Sequence, residues 1–276
     1  MAFALTTSAL AAEPAFDVVS VKLNKSNDPS HSNVPLGPGD VFAPTGGSFL
    51  ATNFPLASYI TFAYKIMGSQ AVYFWPQLPK WVKEEHYDIQ ARAEGNPTKD
   101  ELRAMMRALL ADRFQMVVRR ETREMPVFDL VIAGPGRLGS RLQAHPPDAL
   151  CPAPPNTVDE FPIPCGGIYG QKASAPNHLR LGGRNIPMQL VADSFPTLGL
   201  GRPVFDKTGL KGNFDFTIDW APDSRDPREP GEAGIADPSG PSFQLALKQQ
   251  LGLELKPRKG PLEVLLLDRI EHPSAN

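Results

Sequence analysis

The sequence predicts an α+β fold that contains two similar β-α-β-α-β units with mixed or antiparallel sheets. Residues 48–133 and 178–271 show the same order of patterns: a strand, a helix that begins at proline, an alternating strand, an amphipathic helix and an apolar strand. The segment YDIQA in the first stretch corresponds to FDFTI in the second. This order allows antiparallel pairing, which is typical of the α+β class. We therefore predict an internal duplication of about 90 residues.

In the first stretch, SFLATNF has strand character, and Pro55 is favourable at the first position of the helix that follows. HYDIQARA alternates with the period of a strand. Thr98 and Glu101 form a capping box, which predicts the start of the second helix. EMPVFDLVIAG then predicts a buried strand that ends at glycine.

The second stretch repeats these signals. HLRLGGRNI predicts a strand, and Pro187 opens the next helix. GNFDFTIDW alternates at Phe214, Phe216 and Ile218. Ser242 is the predicted cap of the last helix, and GPLEVLLLDRIEHP predicts the last strand.

The N-terminus predicts export. Residues 2–12 are apolar or small, and Ala9-Leu10-Ala11 supplies an A-x-A cleavage site, so residues 1–11 are a predicted signal peptide. It lacks a basic n-region, so we expect its natural start to lie upstream. The predicted domains are then 12–134 for the first unit, 135–177 for a proline-rich linker and 178–276 for the second unit.

The composition limits the partners. The net charge is −2 and the pI is about 6.2, which argues against nucleic acid, since nucleic-acid-binding surfaces are usually basic. No later stretch approaches the 18 or more apolar residues of a spanning helix. We expect a periplasmic or extracellular protein with no transmembrane helix in the mature chain.

Two cysteines, Cys151 and Cys165, lie in the predicted linker. In an oxidising compartment we expect a disulfide between them that closes a short loop, worth roughly 3 kcal/mol. Two free buried thiols are the alternative. A lone C-x13-C is not a zinc ligand set, so no metal site is predicted.

The segment DKTGLKG, residues 206–212, resembles the start of the phosphorylation motif of ion-pumping ATPases. The next residue is Leu210, where that motif has threonine, and no matching acidic cluster follows. Asp206 and Thr208 favour side-chain bonds within a turn, and Gly209 and Gly212 supply positive φ angles. We interpret the segment as a structural turn.

No cofactor is predicted. GPGRLG at 134–139 fits a dinucleotide fingerprint in letters only, because a proline-rich stretch follows it where the fingerprint needs a helix. No hydrolase signature is present, but a serine could still meet one of five histidines in space. Hydrolysis by an unmotifed triad therefore stays an alternative.

Aromatic residues are dense in YFWPQLPKWVKEEHYD, residues 73–88. Trp75, Trp81 and Tyr87 are the candidate ligand-binding residues, because aromatics in an irregular connection can stack on a peptide or a carbohydrate. Packing between a helix and a sheet is the alternative, and it is the more frequent role.

The order of motifs is itself specific. FDVVSVK, YDIQARA, LLADRFQ, RPVFDKTGLKGNFDF and QLGLELKPRKGPLEVLLLD together resemble a soil-associated family, mainly acidobacterial, that is filed as a domain of unknown function. The resemblance covers nearly the whole mature chain. It implies an exported bacterial protein, with no established catalytic residue or cofactor to carry over.

The leading hypothesis is a non-catalytic, extracytoplasmic binding or sensing module for a peptide, a glycan or an envelope protein. The first alternative is a hydrolase that acts on esters or lactones. The second is a structural envelope protein.

Overall fold

The structure is a computed structural model. It describes residues 14–40, 42–134, 136, 138–147, 165–198, 200–222 and 240–273. The predicted signal peptide and Cys151 lie outside these ranges, so their predicted roles stay predictions.

The first part of the chain contributes five strands and four helices in the described residues. The strands are β1 (Val18–Asn24), β2 (His31–Ser32), β3 (Ser48–Pro55), β4 (His86–Arg92) and β5 (Val117–Ile132). The helices are α1 (Leu56–Ala63), α2 (Gly68–Phe74), α3 (Lys80–Glu84) and α4 (Lys99–Phe114), and a 3₁₀ turn at Trp75–Gln77 joins α2 to α3.

The second part contributes six strands and two helices in the described residues. The strands are β6 (Leu142–Ala144), β7 (Gly167–Gln171), β8 (Leu179–Pro187), β9 (Val204–Asp206), β10 (Asn213–Trp220) and β11 (Leu253–Arg269). The helices are α5 (Met188–Ser194), which continues as a 3₁₀ turn at Phe195–Leu198, and α6 (Phe243–Ala246), which continues as a π-helical turn at Leu247–Leu251.

The described strands form three sheets. The first sheet has the strand order β1-β4-β3-β2, and the second has the order β6-β10-β8-β7. Every pairing in these two sheets is antiparallel. In the third sheet, β11-β5-β9, β5 is antiparallel to β11 and parallel to β9. The predicted α+β class with mixed and antiparallel sheets is confirmed.

Local signals fix the helix ends. The Thr98 hydroxyl accepts a hydrogen bond from the Glu101 N–H, and the Glu101 carboxylate accepts one from the Thr98 N–H, which confirms the predicted capping box. Helix α4 ends at Gln115, whose φ of 50° breaks the helical path. Pro55 and Pro187 are the residues before the first turns of α1 and α5, one position earlier than predicted.

Two hydrophobic cores lie against the two four-stranded sheets. The largest aromatic members of the first core are Phe49, Tyr59, Phe62, Phe74, Tyr87 and Phe114. Those of the second core are Phe195, Phe214, Phe216 and Trp220. Each core is closed by the helices that follow the corresponding strands, since α4 packs on α1 and α6 packs on β10.

The long β5–β11 ribbon ties the cores together. Its two strands pair over nearly their full length, from Leu253 opposite Ile132 to Arg269 opposite Val117. One end of the ribbon places Leu265 in the first core, and the other end places Leu130 in the second. A strand from each part of the chain therefore contributes to the core of the other part.

A second junction joins α2 to α5. The Ser69 hydroxyl donates to Asp193 Oδ1 at 2.9 Å and accepts from the Val204 N–H at 3.2 Å. A Cβ at Gly68 would overlap the Asp193 carbonyl, so only glycine permits this approach. Burial raises the pKa of Asp193, although hydrogen bonds from Gln189 and Ser69 act in the opposite direction.

Two regions differ from the sequence expectation. Strands β6 and β7 fall inside the stretch predicted as a linker, so the second sheet begins before residue 178. The aromatic stretch predicted as an irregular connection contains α2, a 3₁₀ turn and α3. Both errors have the same cause: these elements are short, and tertiary contacts rather than local periodicity stabilise them.

Candidate functional site

Each four-stranded sheet has a bulge at an asparagine with positive φ. In the first sheet this residue is Asn53, with a φ of 58°. Its N–H donates to Asp88 Oδ1 at 2.8 Å, and the Asn24 amide donates to the same oxygen at 2.8 Å. His86 Nδ1 lies 2.8 Å from Asn53 Oδ1. The aspartate therefore fixes the bulge of the neighbouring strand.

The second sheet contains the same device. Asn185 has a φ of 54°, and its N–H donates to Asp215 Oδ1 at 2.8 Å. His145 Nδ1 lies 2.8 Å from the same oxygen, in the place that an asparagine amide takes in the first sheet. The Asn213 amide donates to Asn185 Oδ1. Asp215 Oδ1 is thus held by two residues, and its other oxygen, Oδ2, lies 4.0 Å from Arg184 Nε.

A pocket of about 370 Å³ lies on the outer face of the second sheet, beside Asp215. Its polar lining consists of Ser140, Arg141, Gln143, Arg184, Asp215 and Thr217. The strand register explains this grouping, because alternate residues of β10 point to one face and the core takes Phe214, Phe216 and Ile218. The charged groups of three strands therefore meet on the solvent side.

Both arginines of the pocket are held by neighbours. Arg141 Nη1 donates to Gln250 Oε1 at 3.0 Å, and the Gln250 amide is itself fixed to the backbone of Asp219. Arg184 Nε lies 4.0 Å from Asp215 Oδ2. The two cationic side chains approach from β8 and from the segment that leads into β6, on opposite sides of β10.

An exposed tyrosine lies close to the pocket without lining it. Tyr169 is 44% exposed, and its ring lies against Gly167, where a Cβ would come within 2.6 Å of Cζ. Gly167 pairs with Arg184 across β7 and β8. The tyrosine ring is therefore a neighbour of Arg184, which does line the pocket.

A second histidine–aspartate pair lies at the end of the same sheet. His178 Nδ1 is 2.7 Å from Asp219 Oδ1, and the Ser174 N–H donates to Oδ2. Burial would raise the pKa of Asp219, but the hydrogen bonds from His178 and Ser174 lower it below its usual value. Among the described residues, Nε2 of His178 has no hydrogen-bond partner, and the same is true of His145.

The three predicted aromatic candidates have different environments in the structure. Tyr87 is 1% exposed, and its hydroxyl donates to Glu85. Trp81 stacks on His272 with ring centroids 4.0 Å apart. Trp75 is 44% exposed at the 3₁₀ turn. Their role in ligand binding stays a prediction.

The DKTG segment is a turn in the structure. The N–H and the hydroxyl of Thr208 both donate to Asp206 Oδ1, at 2.9 and 2.7 Å. Gly209 and Gly212 have φ angles of 72° and 85°. The carboxylate of Asp206 is thus used locally.

Of the predicted disulfide, only Cys165 is described. Its backbone forms a bridge with Arg184 at the start of β7. Cys151 lies outside the described residues, so the disulfide stays a prediction.

Sequence reasoning did not find the pocket. Arg141, Arg184 and Asp215 are far apart in the chain, and the bulge sets their register. One signal was present: Gly182 and Gly183 interrupt a strand pattern between two arginines, Arg180 and Arg184. Glycines inside a strand often mark a bulge or a close approach.

The described residues contain neither a group of metal ligands nor a membrane-spanning helix. No group of three or more histidine, cysteine, aspartate or glutamate side chains there could hold a metal ion. Within those ranges, no helix has the length and apolar character needed to cross a membrane.

Residues 57–270 match the model of a family described as a protein of unknown function, DUF3738. The chain belongs to the DUF3738 family. The predicted membership in a domain of unknown function is confirmed, and the acidobacterial and soil origin stays a prediction. Neither a curated protein nor a solved structure matches the DUF3738 chain significantly.

Proposed function

We propose that this DUF3738 protein is an extracytoplasmic, non-catalytic binding or sensing module whose ligand site is the pocket on the second sheet. The observation that carries the proposal is the pocket of about 370 Å³ with its charged and polar side chains. Its aspartate and one of its arginines are oriented by hydrogen bonds to other residues of the chain. Groups oriented in advance cost less entropy on binding, which favours a recognition role.

We also propose that the chain consists of two duplicated units. The support is the shared strand order of the two four-stranded sheets and the shared bulge, in which Asn53 corresponds to Asn185 and Asp88 to Asp215. The motif after each asparagine is also similar, NFPL against NIPM. Two unrelated units would not be expected to share an aspartate that accepts from the bulge N–H of the neighbouring strand at the same position of the sheet.

Export and the Cys151–Cys165 disulfide are parts of the same proposal. The apolar N-terminus with its A-x-A site supports export, and an oxidising compartment supports the disulfide. Intact mass of the exported protein should show a chain that begins at Ala12 and lacks two hydrogens. A retained Met1 with two alkylatable thiols would contradict both.

One observation favours the hydrolase alternative. The His178–Asp219 pair resembles the base and the orienting carboxylate of a triad. No described serine or cysteine donates to its Nε2. The leading proposal is the binding module, because its site is complete in the described residues.

A thermal-shift screen tests the binding proposal. The purified chain is screened against peptides, amino acids, neutral sugars and sugar acids, together with the variant Arg184→Gln. Lys22→Gln is the control, since Lys22 is an exposed cation on strand β1 of the first sheet, away from the pocket. A ligand that stabilises the wild type and the control, but not Arg184→Gln, supports the proposal. Hits that all three proteins share would contradict it.

A further inference from the structure

We infer that the pocket on the second sheet binds a sugar acid, a ring that carries one carboxylate and several hydroxyls. This inference rests on the binding function proposed above and gives that site a ligand class. It comes from four features of the pocket: its charge, the positions of its arginines, its neutral polar groups and the adjoining tyrosine.

The charge of the lining suits a monoanion. Arg141 and Arg184 contribute two positive charges, and Asp215 contributes one negative charge, which leaves one positive charge. Asp215 Oδ1 already accepts from His145 and Asn185. Its Oδ2 lies near Arg184 and can accept from one ligand hydroxyl.

The two arginines can hold a carboxylate between them. Arg184 lies on β8 and Arg141 directly precedes β6, and these two strands flank β10. Arg141 Nη1 donates to Gln250 Oε1 and Arg184 Nε lies 4.0 Å from Asp215 Oδ2, so each guanidinium keeps further N–H donors for a ligand carboxylate. Guanidinium groups bind carboxylates through paired, charge-assisted hydrogen bonds.

The remaining polar groups suit hydroxyls. Ser140 and Thr217 carry hydroxyl groups, and Gln143 carries an amide. Each of these groups can both donate and accept, as ligand hydroxyls do. The Gln143 amide donates to the Ser140 carbonyl, so its side-chain oxygen is directed to accept from a ligand hydroxyl.

Tyr169 supplies an exposed aromatic ring of the kind that packs against sugars. Its ring rests on Gly167 next to Arg184 and is 44% exposed. A flat aromatic face can pack against the C–H face of a sugar ring, while the ring hydroxyls bond to the polar groups beside it. The pocket volume lies near the lower end of the range for small-molecule sites, about 300–1,000 Å³, and so fits a short saccharide.

Calorimetric titration of the full chain tests the inference, with galacturonate and the neutral sugar galactose as probes. We expect the acid to bind at least about tenfold more tightly than the neutral sugar, with an affinity that falls as salt rises. Arg184→Gln should weaken binding of the acid by about tenfold, and Tyr169→Ala should weaken binding of both sugars. Lys22→Gln should change neither, and circular dichroism checks that each variant is folded.

The other outcomes distinguish an error in the ligand class from an error in the site and from failure of the proposed function. Equal affinity for acid and neutral sugar would overturn the carboxylate assignment. Binding of an amino acid or a peptide instead, lost in Arg184→Gln, would overturn the ligand class and keep the proposed function. If galacturonate binds but no pocket variant weakens its binding, the assigned site is wrong. If neither sugar binds and the thermal screen yields no pocket-dependent ligand, the inference and the proposed function both fail.

Discussion

The first and second sheets share a backbone device but present different surfaces. In both, an aspartate on one strand holds an asparagine bulge on the next, Asp88 with Asn53 and Asp215 with Asn185. On the outer face, the first sheet has Ser20 and Thr52 at the positions that Arg141 and Arg184 take in the second. We therefore expect the shared residues to maintain the fold, and the differing residues are those on which the proposed site of the second sheet depends.

The largest expected loss of stability comes from removing the aspartate that holds a bulge, Asp88 or Asp215. Asp88→Ala and Asp215→Ala should each lower the free energy of unfolding by about 2 kcal/mol, because each removes two hydrogen bonds to a carboxylate and leaves the bulge N–H unpaired. Urea unfolding of both variants measures this loss. Asp17→Ala, at an exposed position just before β1, is the control and should change little.

This pair of variants can break the comparison. If Asp215→Ala leaves stability unchanged while Asp88→Ala lowers it, the second aspartate does not serve the fold. The correspondence between the two bulges would then be accidental.

The asparagines should show a smaller and unequal effect. Replacing Asn53 or Asn185 with alanine should cost about 1–2 kcal/mol, because alanine tolerates a positive φ poorly. Glycine relieves that strain, so Asn185→Gly should cost less than Asn185→Ala, although it loses the exposed hydrogen bond that the Asn213 amide donates. Asn53→Gly should still be destabilising, because the buried Asn53 amide bonds to the Asp28 carbonyl.

Thermal unfolding of the four variants gives the comparison directly. If Asn185→Ala and Asn185→Gly lower the melting temperature equally, the positive φ is not the limiting factor at position 185. The bulge would then depend on side-chain contacts alone.

The junction between α2 and α5 should make stability depend on pH. Burial raises the pKa of Asp193 in the folded state above its unfolded value of 3.8. Its contribution to stability is therefore complete below pH 3.8 and is lost as the pH rises through the raised folded value. Asp193→Asn keeps a side chain that can bond to Ser69 and Gln189 but cannot ionise.

We expect Asp193→Asn to gain stability relative to the wild type as the pH rises from 4 to 7. Urea unfolding across that range measures the difference between the two proteins, which removes the effect of other carboxylates. A difference that does not change with pH would contradict the raised pKa. Asp17→Asn, the same change at the exposed position just before β1, is the control.

The sequence predicted the elements with strong local signals and missed those set by tertiary contacts. Helix α4 was predicted from its capping box, and the alternation of residues 87–93 predicted β4. The β5–β11 ribbon was seen only as two apolar strands, because nothing in either segment encodes a partner more than a hundred residues away. The short strands β6 and β7 gain their stability from the sheet, which local pattern does not reveal.

The site was missed for a related reason. A pocket that combines Arg141, Arg184 and Asp215 depends on the register of three strands and on a one-residue bulge. A shift of one residue would turn Asp215 into the core and Phe216 to solvent. Single residues such as Trp75 attract notice in a sequence because they are rare, whereas a site made of ordinary residues becomes visible only through its geometry.

The smallest expected effect is in catalysis, where we expect none. The two histidines of the second sheet, His145 and His178, each face an aspartate, but neither has a described hydroxyl or thiol on Nε2. The purified chain should hydrolyse a panel of esters and lactones no faster than buffer. Turnover that survives repurification and disappears in His178→Gln, but persists in His145→Gln, would overturn the binding module and make His178 the base of a hydrolase. Without such turnover, the His178–Asp219 pair has the structural role that its backbone contact to Ser174 already indicates.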